Sequence, residues 1–259
     1  MHIQRRWSEL AIASLFYWEI DVRVLRIFGL HMLLAVIALA LWDTPFVKPF
    51  RVFVVWMHEM GHAMATLVTG GEVAELRVRW NESGHVMSRG GIRPIISSAG
   101  YVGAACVGAL LIYCGRWGSV QRGVLALIGI LQISMAALYT PFWGMDFWFG
   151  VGSGILLAVV AVKFDRWAQV LATWIGVMLC LYSLYDFRTD LWMQTERTDA
   201  GILAAYWGLP VLAYPIAFVW AAFSIGVMFW AMRGLGRKLD KTVDQQKGLD
   251  SASQLEGRI

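Results

Sequence analysis

The chain is poor in charge. Of its 259 residues, 22 are Lys or Arg and 18 are Asp or Glu, so 15% are charged against 58% hydrophobic. Soluble domains carry about 25% charged residues, and a chain this short of them cannot cover itself with polar surface. Cysteine is scarce as well. Cys106, Cys114 and Cys180 all fall in apolar runs at spacings that match no metal pattern; three is an odd count, which excludes a secreted disulfide framework and reads as inert buried thiols. The net charge of +4 is too small to argue for a nucleic-acid partner. The basic residues gather in short loops and the two tails, where they read as topology and lipid contact. No internal repeat and no low-complexity tract is present. The N-terminus carries Arg5 and Arg6 before a short apolar patch, Leu10 to Trp18, which is not a cleavable signal; the first long apolar run is expected to act as an uncleaved anchor.

What the chain has instead is apolar runs long enough to span a bilayer, at about 24–42, 50–69, 95–114, 123–141, 147–163, 167–185 and 211–232. Asp43-Thr44-Pro45, Gly115-Arg116, Pro141 to Asp146 and Asp165-Arg166 punctuate them as tight turns should. The 14 Trp and 8 Tyr suit a protein with many water–lipid interfaces. The expected fold is therefore an all-α polytopic membrane protein with six to eight transmembrane helices. The expected division is an N-terminal cytoplasmic segment at 1–23, a membrane domain at 24–232 and a polar, loosely ordered tail at 233–259.

Charge asymmetry bears on the count. Arg5, Arg6, Arg23 and Arg26 load one end, and Arg233, Arg237, Lys238, Lys241, Lys247 and Arg258 the other. Positive charge marks the cytoplasmic side, so both ends belong there and the number of crossings is even. Seven runs conflict with that. Either one is re-entrant, giving the preferred six, or the Leu10–Trp18 patch or the stretch after Asp199 adds an eighth.

Inside the second run stands His58-Glu59-Met60-Gly61-His62, which reads H-E-x-x-H. Positions i and i+4 share a helix face, so two imidazoles can hold one zinc ion beside a glutamate placed as general base. An ionisable residue at mid-bilayer costs ~2.5–3.5 kcal/mol on insertion scales, so three clustered here need a chemical reason, and zinc hydrolysis supplies one. In that chemistry Glu59 takes the proton of a zinc-activated water and passes it to the leaving amine.

Between the second and third runs lies a non-helical piece. From Val73 to Trp80, Leu76, Val78 and Trp80 alternate with Arg77 and Arg79; Asn81-Glu82-Ser83-Gly84 supplies turn chemistry, and His85-Val86-Met87-Ser88 returns. This is a β-hairpin signature. It is either a solvated loop with no task or a strand edge that holds an extended substrate by β-addition. Gly70-Gly71 and Gly90-Gly91 flank it, as turn residues or as the shapers of a water entry.

The H-E-x-x-H span, Gly70-Gly71, the hairpin, and Ser98-Ala99-Gly100-Tyr101-Val102-Gly103 opening the next span together resemble the site-2 protease clan, and most closely its peptidase M50B-like branch. That branch tends to carry Ala-Gly-Tyr-x-Gly after the hairpin and an acidic stretch ending in Ser-Asp-Ala, here Thr198-Asp199-Ala200, with Tyr185-Asp186-Phe187 and Asp190-Leu191 upstream. The resemblance covers roughly 50–232 and is most specific at 58–103. It implies an intramembrane zinc metalloprotease acting on membrane-protein substrates within the lipid bilayer, most simply the bacterial inner membrane.

A catalytic zinc takes three protein ligands and an open position. His2, His31 and His85 lie badly for the third, His31 reading as a core residue bonded to a neighbouring helix. Three carboxylates remain. Asp146 follows Pro141 by five residues, echoing a spacing in better-known site-2 proteases, but Leu138-Tyr139-Thr140-Pro141 and Asp146-Phe147 depart from their flanking pattern. Asp186 ends a span. Asp199 matches the Ser-Asp-Ala element and would start a re-entering helix, so the expected set is His58, His62 and Asp199 with Glu59 as base. The rival reading is a non-proteolytic membrane protein, a transporter or partner-binding scaffold, that uses the same polar residues for ions or protons. Substrate identity and oligomeric state are not encoded in any motif.

Overall fold

The computed structural model describes residues 22–193 and 198–256. The Leu10–Trp18 patch and the 1–21 part of the N-terminal segment lie outside them. The elements run α1 (Val22–Ala40), α2 (Lys48–Val68), β1 (Glu72–Val78), β2 (Gly84–Arg89), α3 (Arg93–Cys114), α4 (Gly118–Tyr139), α5 (Met145–Lys163), α6 (Asp165–Met193), α7 (Asp199–Tyr206), a 3-10 turn at Pro210–Leu212, and α8 (Ala213–Glu256). Helices α2 and α3 each open with a proline in the first turn, where the missing N–H costs nothing.

Among the described residues four helical segments are long and apolar enough to cross a membrane: Arg93–Cys114, Gly118–Tyr139, Met145–Lys163 and Pro210–Leu235. In α1 the apolar stretch among the described side chains is Gly29–Ala40. The stretch after Asp199 is no eighth crossing: α7 has eight residues, about 12 Å of helix against a hydrocarbon core of about 30 Å. The polar tail also differs from expectation, because α8 continues as helix to Glu256. From Arg233 to Glu256 the sequence holds no proline and repeated Lys, Gln and Leu, which propagate a helix already started.

Helix α3 is the hub, packed against α2, α6 and α8. The close crossings are made by small residues, as membrane helices require when hydrophobicity alone cannot bring them together. A Cβ on Gly129 of α4 would lie 2.5 Å from the Gly154 carbonyl oxygen of α5, and one on Gly108 of α3 2.6 Å from that of Gly176 in α6.

The hairpin forms where the alternation predicts it. Its strands are antiparallel, with Leu76 opposite Val86, Arg77 opposite His85 and Val78 opposite Gly84, and an irregularity between Val73 and Glu75. Leu76 and Val78 are buried while Trp80 is 44% exposed, so the apolar face ends at the turn. The Arg79 N–H donates to the Ser83 carbonyl at 2.8 Å, and Asn81 Oδ1 accepts from Ser83 Oγ at 2.8 Å. Glu82 takes φ +68°, a left-handed position that normally favours glycine. At the base, Gly70, Gly90 and Gly91 all have positive φ, and a Cβ on Gly71 would lie 2.9 Å from both the Arg89 oxygen and the Gly91 nitrogen. Both glycine pairs are thus turn and close-approach residues.

Two ion pairs fasten the hairpin to the helices. Arg51 of α2 reaches Glu82 at 3.0 Å and Asp43 at 3.5 Å. Arg77 of β1 reaches the buried Asp146 of α5 at 2.5 Å and Glu75 at 3.0 Å. Lys48 lies over the Trp80 ring at 5.7 Å. Burial raises the Glu82 carboxyl above its usual value, opposed by the Arg51 guanidinium and Lys48.

Candidate metal centre

Helix α2 presents His58, Glu59 and His62 from the middle of a segment buried nearly all round, their exposures 5%, 6% and 7%. The i, i+4 spacing brings the two Nε2 atoms to 2.9 Å. Room for the rings comes from Gly100 of α3, where a Cβ would lie 2.5 Å from both His58 Nε2 and His62 Nε2. Gly61 of α2 faces the Ala99 carbonyl oxygen at 2.5 Å from its missing Cβ. Two helices approach this closely where side chains are absent or a single methyl, which is what Gly61, Ala99 and Gly100 provide.

The third member arrives from far along the chain. Thr198 caps α7, its side chain accepting from the Gly201 N–H at 3.0 Å, and the next residue, Asp199, extends Oδ2 to 2.9 Å from His58 Nε2 and 3.0 Å from His62 Nε2. His58, His62 and Asp199 form a group whose ligating atoms all lie within 4.8 Å of one another. A small apolar cluster of Ala200, Leu203 and Trp220, with Tyr101, Val102, Ile216 and Ala217 against it, seats α7 on α3 and α8.

The donor set suits a cation. His62 Nδ1 lies 2.6 Å from the Ile96 carbonyl, which can only accept, so that nitrogen carries the proton and a neutral ring leaves Nε2 as a bare lone pair. With the ring neutral, two acceptors, Nε2 and Asp199 Oδ2, face each other at 3.0 Å, a contact satisfied by a cation between them or by a second proton on the ring. A tetrahedral zinc site with bonds of about 2.0–2.1 Å has ligand atoms about 3.3 Å apart, close to the 2.9–3.0 Å separations here. The Ile96 carbonyl is the kind of outer partner that fixes a metal-binding imidazole.

Aromatic rings wall the site. Tyr101 and Tyr182 stand edge-on to His58 with centroids at 4.4 and 5.3 Å, and Tyr101 stacks on Tyr182 and Trp220. A cavity of about 440 Å³ opens over the group, lined among others by Glu59, Gly84, Val86, Ser88, Arg93 and Ile202.

The remaining candidates lie elsewhere. Asp146 is 3% exposed and committed to Arg77, away from the histidine pair; its backbone oxygen accepts from Trp56 Nε1 at 3.3 Å. The side chain of Asp186 falls outside the described residues. His31 is buried in α1, and His85 lines the cavity from β2 without joining the group. The three cysteines are free. Tyr182 and Trp220 went unnoticed in the sequence because nothing in a helical run marks an aromatic as facing a site. Tyr101 had a signal, the Ala99-Gly100-Tyr101 element.

A family model described as Peptidase M50B-like matches residues 31–231. Neither a curated protein nor a solved structure matches the chain. With four apolar helices and this match, the molecule is an integral membrane protein.

Proposed function

Because the chain belongs to the Peptidase M50B-like family, we propose that it is an intramembrane zinc metalloprotease that hydrolyses peptide bonds of membrane-spanning proteins. The observation that carries this reading is the convergence of His58 and His62 with Asp199, 137 and more residues away, beside Glu59. His58, His62 and Asp199 would hold the ion. Zinc when bound supplies a Lewis acid and lowers the pKa of water at its open position to about 7.

The chain's own residues do the rest. Glu59, adjacent to the first histidine, receives a proton from the hydrolytic water as its oxygen joins the scissile carbonyl carbon. It returns that proton to the leaving nitrogen as the C–N bond breaks. Tyr101, Tyr182 and Trp220 pack the ligands in fixed orientation. The cavity beside β2 supplies a path for water in an otherwise apolar helix bundle.

An extended substrate fits the open edge of β2. Since Arg79 N–H bonds the Ser83 carbonyl, the period of two turns the backbone of His85 and Met87 toward β1 and that of Gly84, Val86 and Ser88 outward. Those three outward residues line the cavity. A transmembrane helix must unwind before its peptide bonds can be attacked, and β-addition would hold the unwound segment. We assign the protein to the cell membrane of a bacterium, with six crossings.

The test has two arms. Elemental analysis of detergent-purified protein should give one zinc per chain, lost in His58→Ala and in His62→Ala. Glu59→Gln should keep the metal and lower hydrolysis by about 10²–10⁴-fold, so that single-span proteins accumulate in membrane proteomes of cells expressing it. Zinc that is sub-stoichiometric and indifferent to both histidine substitutions would end the metalloprotease reading.

A further inference from the structure

Gly84 sits against the catalytic candidate itself. A Cβ there would overlap the Glu59 carboxylate, meeting Oε1 in hard contact, Cγ at 2.7 Å and Cδ at 2.8 Å. The backbone of β2 is therefore the floor on which Glu59 rests, and whatever holds β2 down also holds that carboxylate. The sheet has two strands, too few to be stable alone, so its position is set by what ties it to the helices.

The tie at the turn is unusual. Glu82 occupies a left-handed position, φ +68°, that costs a residue with a Cβ roughly 1 kcal/mol relative to glycine. A glutamate is kept there with its carboxylate on Arg51, at 3.0 Å, with the two side chains 22% and 12% exposed. Arg51 lies seven residues before His58, two turns along the same helix, and so on the same face as the metal ligands. The hairpin consequently lies along one stripe of α2, pinned at Arg51 and touching at Glu59. Glu82 also lines the cavity.

We propose that Arg51 and Glu82 form a strap that holds β2 on Glu59, making both positioning residues for the general base. This rests on the metalloprotease reading for the role of Glu59, though not for the strap itself. With the ion pair intact, Gly84 restricts Glu59 to orientations that face the histidine–aspartate group. Without it the turn end of β2 loosens from α2, and Glu59 gains rotamers that point away. Leu76, Val78 and the Arg77–Asp146 pair still hold the rest of the hairpin.

Glu82→Gly removes the carboxylate and leaves a residue that suits the left-handed turn. Arg51→Met, measured beside it, breaks the same pair without changing the turn backbone, so an effect shared by both belongs to the strap and not to glycine's added freedom. Full-length protein in detergent would be compared with Glu82→Gly by three measurements: zinc per chain, amide hydrogen exchange of residues 79–90, and affinity for acetohydroxamate, a zinc chelator whose hydroxyl proton needs a carboxylate to receive it. Glu59→Gln supplies the reference loss of affinity. The expected result is unchanged zinc and melting temperature, exchange faster by about fivefold, and acetohydroxamate weakened by about fivefold. Wild-type exchange in Glu82→Gly would overturn the strap. Faster exchange with wild-type acetohydroxamate affinity would overturn its role in positioning Glu59. If the wild type holds no zinc, the functional reading fails on that measurement, and exchange alone still decides whether the ion pair holds the hairpin.

Discussion

Asp146 and Asp199 each stand in the first turn of a helix, yet their surroundings commit them to different work. Asp146 is closed off with Arg77 as its partner and stands outside the histidine group. Asp199 faces two imidazole nitrogens at 2.9 and 3.0 Å. The two substitutions should therefore diverge. Asp199→Ala is expected to lose most of the bound zinc while melting near the wild-type temperature. Asp146→Asn is expected to keep its zinc and lose about 2–3 kcal/mol of stability, less than for a fully buried pair because the Arg77 side chain is 32% exposed. Elemental analysis and thermal unfolding of the two variants decide the assignment. Zinc kept by Asp199→Ala and lost by Asp146→Asn would reverse it.

Among the elements, the hairpin carries the second testable role. Val86 turns its N–H away from β1, so a proline there removes a donor that the ladder does not use, as an edge strand tolerates. Val86→Pro should leave zinc and stability near wild type and raise the KM for an extended substrate several-fold, with kcat little changed, if that N–H meets substrate. An unchanged KM would mean the edge is not used. The hairpin was legible in the sequence because its signal is local: alternation at Leu76, Val78 and Trp80, then Asn81 to Gly84 as a turn. The histidine pair was legible for the same reason, His58 and His62 being one turn apart. Asp199 was only nominated, since nothing local says that an eight-residue helix 137 residues beyond His62 will fold back over α2. The ties of Arg77 to Asp146 and Arg51 to Glu82 were illegible altogether, because a charged residue in a strand or turn carries no mark of a distant partner.

For the molecule as a whole, the open quantity is how many helices cross. Among the described residues seven helices exceed eighteen residues, α1 to α6 and α8, while the basic load at both ends, Arg5, Arg6, Arg23 and Arg26 against Arg233, Arg237, Lys238 and Lys241, asks for an even count. The helix that resolves the conflict most simply is α1. By sequence Arg23 and Arg26 fall inside this helix, so its charge-free part, 27–40, is about 21 Å long, short of the ~30 Å hydrocarbon core. On the six-crossing proposal, α2 and α6 would join the four apolar helices. In α2 the polar content is offset by its surroundings, since Lys48 and Arg51 face the hairpin and Glu59 the cavity. The expectation is that reporter fusions at residue 1 and after Arg237 both give cytoplasmic signals. A third fusion in the α1–α2 turn at Thr44 should also read cytoplasmic, which isolates α1 as the helix that fails to cross. Opposite signals at the two ends would give seven crossings, and a Thr44 fusion reading the far side with cytoplasmic ends would move the incomplete crossing to another helix.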